Sequence, residues 1–287
     1  MNTKEKIMRI KYLNIFETLT RIIIFLILIA FVVSILYPLF WIFINSFRNT
    51  QEIFLDTWGL PEKLLWSNYV MAWKYGVGRY FFNSVFVASI STFLTVLISS
   101  MAAFPLSRFN FKGRFTILMV IIAGMMITPQ VNLISLYKLI QTLRIYNTYL
   151  ALIIPYVAYN VPFTVFLLWS YFISLPKEID ESAYIDGCSD WQLFWRIILP
   201  MSKPIIATSA LLTTRVYWNE FMFALVFIDQ ERLKTIPVGL MIFKTTFDTN
   251  WPVLLAALVI STLPIIIVFL VLQKHFVRGL TIGGVKG

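Results

Sequence analysis

Apolar residues in this chain form long uninterrupted runs, and the stretches between the runs hold nearly all of the charged side chains. Each run has roughly 20 residues or more, the length that an α-helix needs to cross about 30 Å of hydrocarbon. The apolar residues do not alternate with polar ones, so helices rather than barrel strands are predicted. Six runs qualify, at about Ile22–Ile44, Phe82–Phe104, Phe115–Tyr137, Tyr149–Ile173, Ile205–Ile228 and Val253–Leu272.

Composition supports a membrane protein and weakens several enzyme classes. Of the 287 residues, 59% are hydrophobic and 13% are charged. In a soluble domain just under half of the residues are apolar and about a quarter are charged. The single cysteine, Cys188, cannot form an internal disulfide, and the single histidine, His275, cannot build a His-rich metal site or a Ser-His-Asp triad. A phosphate-binding loop of the form G-x-x-x-x-G-K-[ST] is missing, so ATP is expected on another chain.

The distribution of basic residues predicts the orientation in the membrane. Fourteen of the 24 Lys and Arg lie in the termini and in the two loops that share their side, against nine in the other three loops. The positive-inside rule therefore places both termini in the cytoplasm. The run Ile22–Ile44 is too long for a signal peptide and lacks a cleavage site, so it is expected to remain as the first span. The net charge of +10 has this explanation, and nucleic-acid binding is not expected.

The predicted fold class is all-α: a polytopic membrane protein with six transmembrane helices and a short cytoplasmic helix. The expected domains are a cytoplasmic N-terminal tail (1–21), a transmembrane domain (22–275) that includes a cytoplasmic loop (174–203), and a cytoplasmic C-terminal tail (276–287). Prolines inside the runs are expected to bend their helices. Two of them in one run, Pro155 and Pro162, favour a bent wall around a pathway.

The loop from Ser174 to Lys203 carries the most specific pattern. Asp180 is a candidate cap for a short helix that begins at Glu181, and Gly187 is suited to end that helix. Ser189 and Gln192 have capping-box spacing, which predicts a second helix. The expected structure is helix, turn, helix, outside the membrane.

An apolar stripe at helical spacing runs along this loop beside acidic residues. Its members are Tyr184, Cys188, Trp191 and Trp195, and the acids are Glu178, Glu181, Asp186 and Asp190. Two interpretations fit the stripe: an amphipathic helix on the membrane surface, or a helix that docks on a partner protein. The periodicity alone does not separate them.

The order of residues does favour one of the two. The segment Glu181-Ser182-Ala183, then Gly187, then Ile197-Ile198-Leu199-Pro200 resembles E-A-A-x3-G-x9-I-x-L-P, the cytoplasmic signature of bacterial ATP-binding-cassette importer permeases. Every spaced anchor is present, with Ser182 in place of the usual alanine. The resemblance implies a coupling helix in a cleft of an ATPase subunit, with Ala183 and Gly187 allowing close approach. The docking residues that it implies are Glu181, Ser182, Ala183, Tyr184, Asp186, Gly187 and Trp191.

Further motifs are similar to the carbohydrate branch of these importers, in particular the six-span partner of the maltose-type permease pair. They are Asn83-Ser84, Trp218-Asn219-Glu220-Phe221 and the segment from Gly279 to Gly287. The resemblance implies a homologous second permease, two ATPase subunits and an extracytoplasmic solute-binding protein. It implies no cofactor in this chain, since ATP and Mg bind to the ATPase subunits, and a location in the bacterial cytoplasmic membrane.

Charged and polar residues in the fifth run are candidates for a translocation path. Arg215 is expected near mid-bilayer, where a charge faces a cavity or a partner. Asn219 lies one turn further and shares its face, whereas Glu220 is expected to point elsewhere. Two interpretations stay open: polar lining of the path, or hydrogen-bonded contacts to the partner permease.

Other functions remain as alternatives. An importer permease for a polyol or a sugar phosphate fits the same motifs. An ion-coupled or proton-coupled secondary transporter is a different class, but few charges lie inside the runs and no inverted repeat is visible. A membrane enzyme would need a convergent His, Cys or carboxylate set, which the runs do not contain.

Overall fold

The computed structural model describes residues 3–243 and 250–284, which fold into helices without strands in those ranges. The all-α prediction is therefore confirmed for the described chain. A π-helical segment, Leu193–Ile198, separates α9 from α10. The α-helices are α1 (Thr3–Asn45), α2 (Thr50–Leu55), α3 (Ser67–Ala72), α4 (Gly78–Arg108), α5 (Arg114–Ala123), α6 (Leu133–Thr142), α7 (Leu150–Ser174), α8 (Glu178–Ile185), α9 (Asp190–Gln192), α10 (Leu199–Met201), α11 (Lys203–Trp218), α12 (Met222–Phe227), α13 (Ile236–Gly239) and α14 (Trp251–Gly284).

Four helical stretches in the described chain are long and apolar enough to cross a membrane. They are Glu17–Asn45, Ser67–Arg108, Leu150–Ser174 and Trp251–Val271. A bent pair, Asp190–Met201 and Lys203–Trp218, qualifies as a fifth if the two helices are taken together. Helix α1 extends through most of the predicted N-terminal tail, and α14 extends into the predicted C-terminal tail, whose last three residues lie outside the described ranges.

The third apolar run is not one helix, which corrects the prediction of a continuous span over Phe115–Tyr137. Helix α5 ends at Ala123, a 3-10 turn follows, and α6 begins only at Leu133. Pro129 lies in the break, where it has no helical hydrogen bond to lose. The six-span count stays a prediction, since a span here would consist of two short helices.

The fifth run is also divided, contrary to the expected helix over Ile205–Ile228. Helix α11 ends at Trp218, and α12 begins at Met222 after the non-helical residues Asn219–Phe221. In contrast, the chain stays helical through Pro155 and Pro162 in α7 and through Pro264 in α14. Proline in the apolar runs therefore does not by itself mark where a helix ends.

Helices α4, α7 and α11 form the centre of the fold. Their contact surfaces hold many buried small hydroxyl residues, which let helix backbones approach closely in a membrane protein. Thr92 and Thr214 hydroxyls are 3.0 Å apart across α4 and α11, and Thr95 is 2.7 Å from the Tyr217 hydroxyl. These hydrogen bonds satisfy polar groups that lipid could not.

The core includes the loop that precedes α11 but leaves most of α1 exposed. A cluster of buried apolar residues, including Phe104, Phe172, Phe194 and Ile198, joins the ends of α4 and α7 to the loop that precedes α11. Helix α1 behaves differently, because the apolar side chains along its membrane stretch are largely exposed. That surface therefore requires lipid or another protein around it.

Candidate functional site

The loop between α7 and α11 forms helix, turn and helix, as predicted. Helix α8 begins at Glu178, three residues earlier than expected, so Asp180 lies in its first turn and is not a cap. Three acids, Glu178, Asp180 and Glu181, occupy this turn, where negative charge favours a helix start.

Arg108 at the end of α4 holds this loop in place, a role that the sequence did not reveal. Its Nη1 donates to the Leu175 carbonyl (2.9 Å), and its Nη2 lies 3.1 Å from Asp180 Oδ1. Both side chains are largely buried, with 2% of Arg108 and 13% of Asp180 exposed. Burial raises the pKa of the Asp180 carboxyl, and the positive charge of Arg108 offsets only part of that effect.

Gly187 ends the first helix of the loop, as predicted. Its φ is +78°, in the left-handed region that a residue without a side chain adopts readily. The Gly187 amide donates to the Tyr184 carbonyl, and the Cys188 amide donates to the Ala183 carbonyl. A Cβ at this position would meet no atom within 4 Å, so backbone geometry, not internal crowding, explains the glycine.

The predicted capping box at Ser189 is confirmed. The Ser189 hydroxyl accepts from the Gln192 amide, and the Gln192 side chain accepts from the Ser189 amide. The following residues continue helically to Met201, and the chain then bends by 76° into α11. The loop is thus joined to the membrane helices by α7 on one side and by this bend on the other.

The outer surface of the loop is apolar and exposed. Ile185 is 86% exposed and Trp191 60%, and Tyr184 is also exposed. The Tyr184 hydroxyl donates to Asp190 Oδ1 (2.8 Å), and burial together with this contact raises the pKa of Tyr184 to about 12. Large exposed apolar side chains favour a protein or membrane contact.

The remaining predicted docking residues fall on two sides of α8. Glu181, Ser182, Asp186 and Gly187 are exposed with the apolar surface. Ala183 is only 4% exposed and packs in the cluster with Phe104 and Phe194. Its small side chain therefore serves packing inside this chain, which corrects the expectation that it allows close approach to a partner.

Glu220 connects the two pieces of the fifth run. Its carboxylate accepts from the Phe223 amide (2.7 Å) and the Ala224 amide (3.2 Å) at the start of α12, and from the Tyr156 hydroxyl (2.7 Å). These are the hydrogen bonds of a helix cap, combined with a contact to α7. Glu220 therefore ties the start of α12 to α7, a role that the sequence did not reveal.

Arg215 lies near the end of a helix because the fifth run is divided after Trp218, and its expected depth near mid-bilayer stays a prediction. It lies in the last turn of α11, and its side chain is exposed, with no ion pair in the described part of the chain. Asn219, one turn further, is also exposed, and its side-chain amide donates to the Arg215 carbonyl (2.8 Å). Both residues face outward from this chain, whereas Glu220 points inward.

Beside them is a cavity of about 350 Å³ between the break in the third run and the break in the fifth. Pro129 and Gln130 line one side, and Tyr159, Asn160 and Glu220 line the other. The rings of Tyr156 and Tyr217 stack in its wall, 5.1 Å apart. In the residues that the structure describes, no group of three His, Cys, Asp or Glu is placed to hold a metal ion.

Comparison with known proteins gives a consistent result. Residues 95–282 match the profile of the family described as binding-protein-dependent transport system inner membrane component. A probable ABC transporter permease protein, YurM of Bacillus subtilis, is 50% identical over 100% of this chain and 94% of its own length. The trehalose/maltose transport system permease protein MalG of Thermococcus litoralis is 40% identical over 94% of this chain and 99% of its own.

A solved structure supports the fold. It is a bacterial ABC transporter involved in the import of the acidic polysaccharide alginate, and one of its chains superposes with a TM-score of 0.77. The match covers 92% of this chain and 97% of that chain, at 23% sequence identity. At this identity the likeness bears on the fold alone.

Proposed function

Because this chain belongs to the family of binding-protein-dependent transport system inner membrane components, we propose that it is a permease subunit of an ATP-driven importer that translocates a sugar or an oligosaccharide. The exposed apolar surface of the loop between α7 and α11 carries this proposal. A subunit without an ATP-binding motif must receive its energy through contact with a protein that has one.

The substrate class is supported by relatives whose names state what they transport. The relative from Thermococcus litoralis serves trehalose and maltose, and AraQ of Bacillus subtilis, 32% identical over 88% of this chain, serves arabinooligosaccharides. Both substrates are composed of sugar units. A polyol or a sugar phosphate has no such support.

The surface of this chain that docks on the ATPase subunit consists of Glu181, Ser182, Tyr184, Asp186, Gly187 and Trp191. Ile185 belongs to it as well, because it is the most exposed apolar side chain of the loop. When two ATPase subunits close around ATP, the docked loop moves with them. The Arg108 contacts and the bend before α11 transmit this movement to α4 and α11.

The partners and the orientation follow from the same assignment. The assembly contains a homologous second permease, two ATPase subunits that bind ATP and Mg, and an extracytoplasmic solute-binding protein. Both termini of this chain lie in the cytoplasm of the bacterial cell, and the six apolar runs cross its membrane. Within this assembly Arg215 and Asn219 face the translocation path or the second permease, while Glu220 supports them from inside.

Site-specific crosslinking tests the docking surface. In a Cys188→Ser background, Ile185→Cys is expected to crosslink to the ATPase subunit in membrane vesicles, because this side chain points outward beside Tyr184. Gln141→Cys, which is exposed near the end of α6, serves as the matched control and is expected not to crosslink. An Ile185→Cys variant that transports normally but crosslinks to no protein would contradict the proposal.

A further inference from the structure

A second cavity, of about 200 Å³, lies where α4 ends, α5 begins and α7 ends. The proposed transport function does not use it. Three cations line it, Arg108, Arg114 and Lys177, and none of its lining residues is acidic. Its other walls include Phe115, Trp169 and Ile173. The cavity is therefore positively charged at one end and apolar at the other.

The N-terminus of α5 lacks a side chain that accepts hydrogen bonds from its first amides. Its cap residue is Gly113, which has no side chain to accept from the first amides of the helix. The first helical residue is Arg114, although a cation at a helix N-terminus is unfavourable. The Arg114 amide donates to the Phe111 carbonyl (3.4 Å), so the first amides of α5 open to an anion are those of Phe115 and Thr116. A bound anion would accept from these amides and offset the positive charge.

The guanidinium of Arg108, which lines the cavity, has partners at Nη1 and Nη2 but none at Nε. Its side chain is 2% exposed, and its Nε is buried without a hydrogen bond. Asp180 neutralises the charge of Arg108, but no acidic side chain in the described ranges forms an ion pair with Arg114 or Lys177. Arg114 Nη1 donates only to the Phe109 carbonyl and to Asn110 Oδ1. Two positive charges thus remain available to an anion.

The apolar end of the cavity shows what kind of molecule carries that anion. Phe115 is 65% exposed and Ile173 50% exposed, and they line the cavity from two apolar helices, α5 and α7. The Trp169 indole donates to the Leu106 carbonyl (3.3 Å), and tryptophan is a side chain that favours the membrane interface. A free phosphate would leave these apolar surfaces uncovered, whereas acyl chains would cover them.

We propose that this cavity binds an anionic phospholipid, with its phosphate group between Arg114, Lys177 and the first amides of α5 and its acyl chains along Phe115 and Ile173. Basic pockets between membrane helices bind such headgroups in other proteins. Lys177 directly precedes α8, so the bound lipid connects the membrane to the loop that carries the docking surface.

Lipid titration of the purified complex, followed by native mass spectrometry, tests this site. Arg114→Gln/Lys177→Gln is expected to weaken the apparent affinity for phosphatidylglycerol about 30-fold. Each cation near an anionic lipid changes the affinity about fivefold, and the two effects multiply. Binding of phosphatidylcholine is expected to stay unchanged. Both replaced side chains are exposed, so the complex should assemble normally.

A matched pair controls for general surface charge. Lys112→Gln/Lys203→Gln removes the same charge from exposed positions outside the cavity and is expected to change the affinity by less than about threefold. Phe115→Ser should weaken phosphatidylglycerol binding without adding or removing charge. An equal loss in both charge pairs, or no preference for phosphatidylglycerol over phosphatidylcholine, would overturn the proposal. Full displacement of the lipid by glycerophosphoglycerol, which has no acyl chains, would also overturn it in favour of a free-phosphate site.

Discussion

Arg108 Nη2 lies 3.1 Å from Asp180 Oδ1, and this contact joins the end of α4 to the first turn of α8. The two residues are 72 positions apart, on a membrane helix and on the docking loop. Arg108 also donates to the Leu175 carbonyl, which holds the chain just before α8. A movement of α8 therefore pulls directly on α4.

Removal of the arginine should loosen the loop. Arg108→Gln leaves the Asp180 carboxylate buried without its partner, and the loss of one member of a buried ion pair costs about 3 kcal/mol. We expect amides of α8 to exchange hydrogen at least roughly tenfold faster at pH 7. Hydrogen exchange with mass spectrometry of the reconstituted complex measures this.

The double variant Arg108→Gln/Asp180→Asn provides the control, because it removes both charges. Its exchange should lie closer to that of the unmodified protein, since no unpaired charge stays buried. Unchanged exchange in the single variant would show that the ion pair does not hold α8.

Gly187 should tolerate only residues that adopt its backbone conformation. At φ +78°, most side chains cost about 1–2 kcal/mol, whereas asparagine adopts this region more readily. Gly187→Trp adds a bulky group to the docking surface as well, so we expect ATP-driven uptake to be lost. Gly187→Asn is expected to keep most of it.

Uptake of labelled sugar and ATPase activity, measured together in proteoliposomes, separate the two effects. ATP hydrolysis that continues without uptake in Gly187→Trp would indicate uncoupling. Normal uptake by Gly187→Trp would contradict a close contact at this position.

Local sequence patterns predicted the loop well because its structure depends on near neighbours. Gly187 and the Ser189–Gln192 box act within a few residues, so their spacing contains the information. The prediction of Asp180 as a cap is wrong for the opposite reason, since its partner Arg108 is distant in sequence. Hydropathy likewise could not locate the breaks at Ile127–Asn132 and Asn219–Phe221, because the residues on both sides of each break are similarly apolar.

The connection between α12 and α13 should loosen as the pH falls. Glu231 accepts from the Tyr80 hydroxyl and pairs with Lys234 (3.0 Å), and these contacts hold the pKa of its carboxyl below the usual 4.5. A lowered pKa in the folded state contributes stability above pH 4.5 that is lost as the pH falls through the folded value. Hydrogen exchange over residues 231–236, corrected for the intrinsic effect of pH, should therefore increase on acidification.

Glu231→Gln removes the titrating group and is the control. Its exchange over these residues should depend less on pH, and should already be faster at neutral pH. If the variant and the unmodified protein respond to acid alike, another group controls this connection.

Glu220 should stabilise the chain through the cap that it gives to α12. Glu220→Ala leaves the Phe223 and Ala224 amides and the Tyr156 hydroxyl without their acceptor, which should cost about 1–2 kcal/mol. Glu220→Gln retains a side-chain oxygen that accepts hydrogen bonds and should lose less. Asn219→Ala is the matched control, since that exposed side chain bonds only to the Arg215 carbonyl. Thermal unfolding of the purified protein should thus rank Glu220→Ala as least stable, and equal stability of the Glu220 and Asn219 alanine variants would refute the cap.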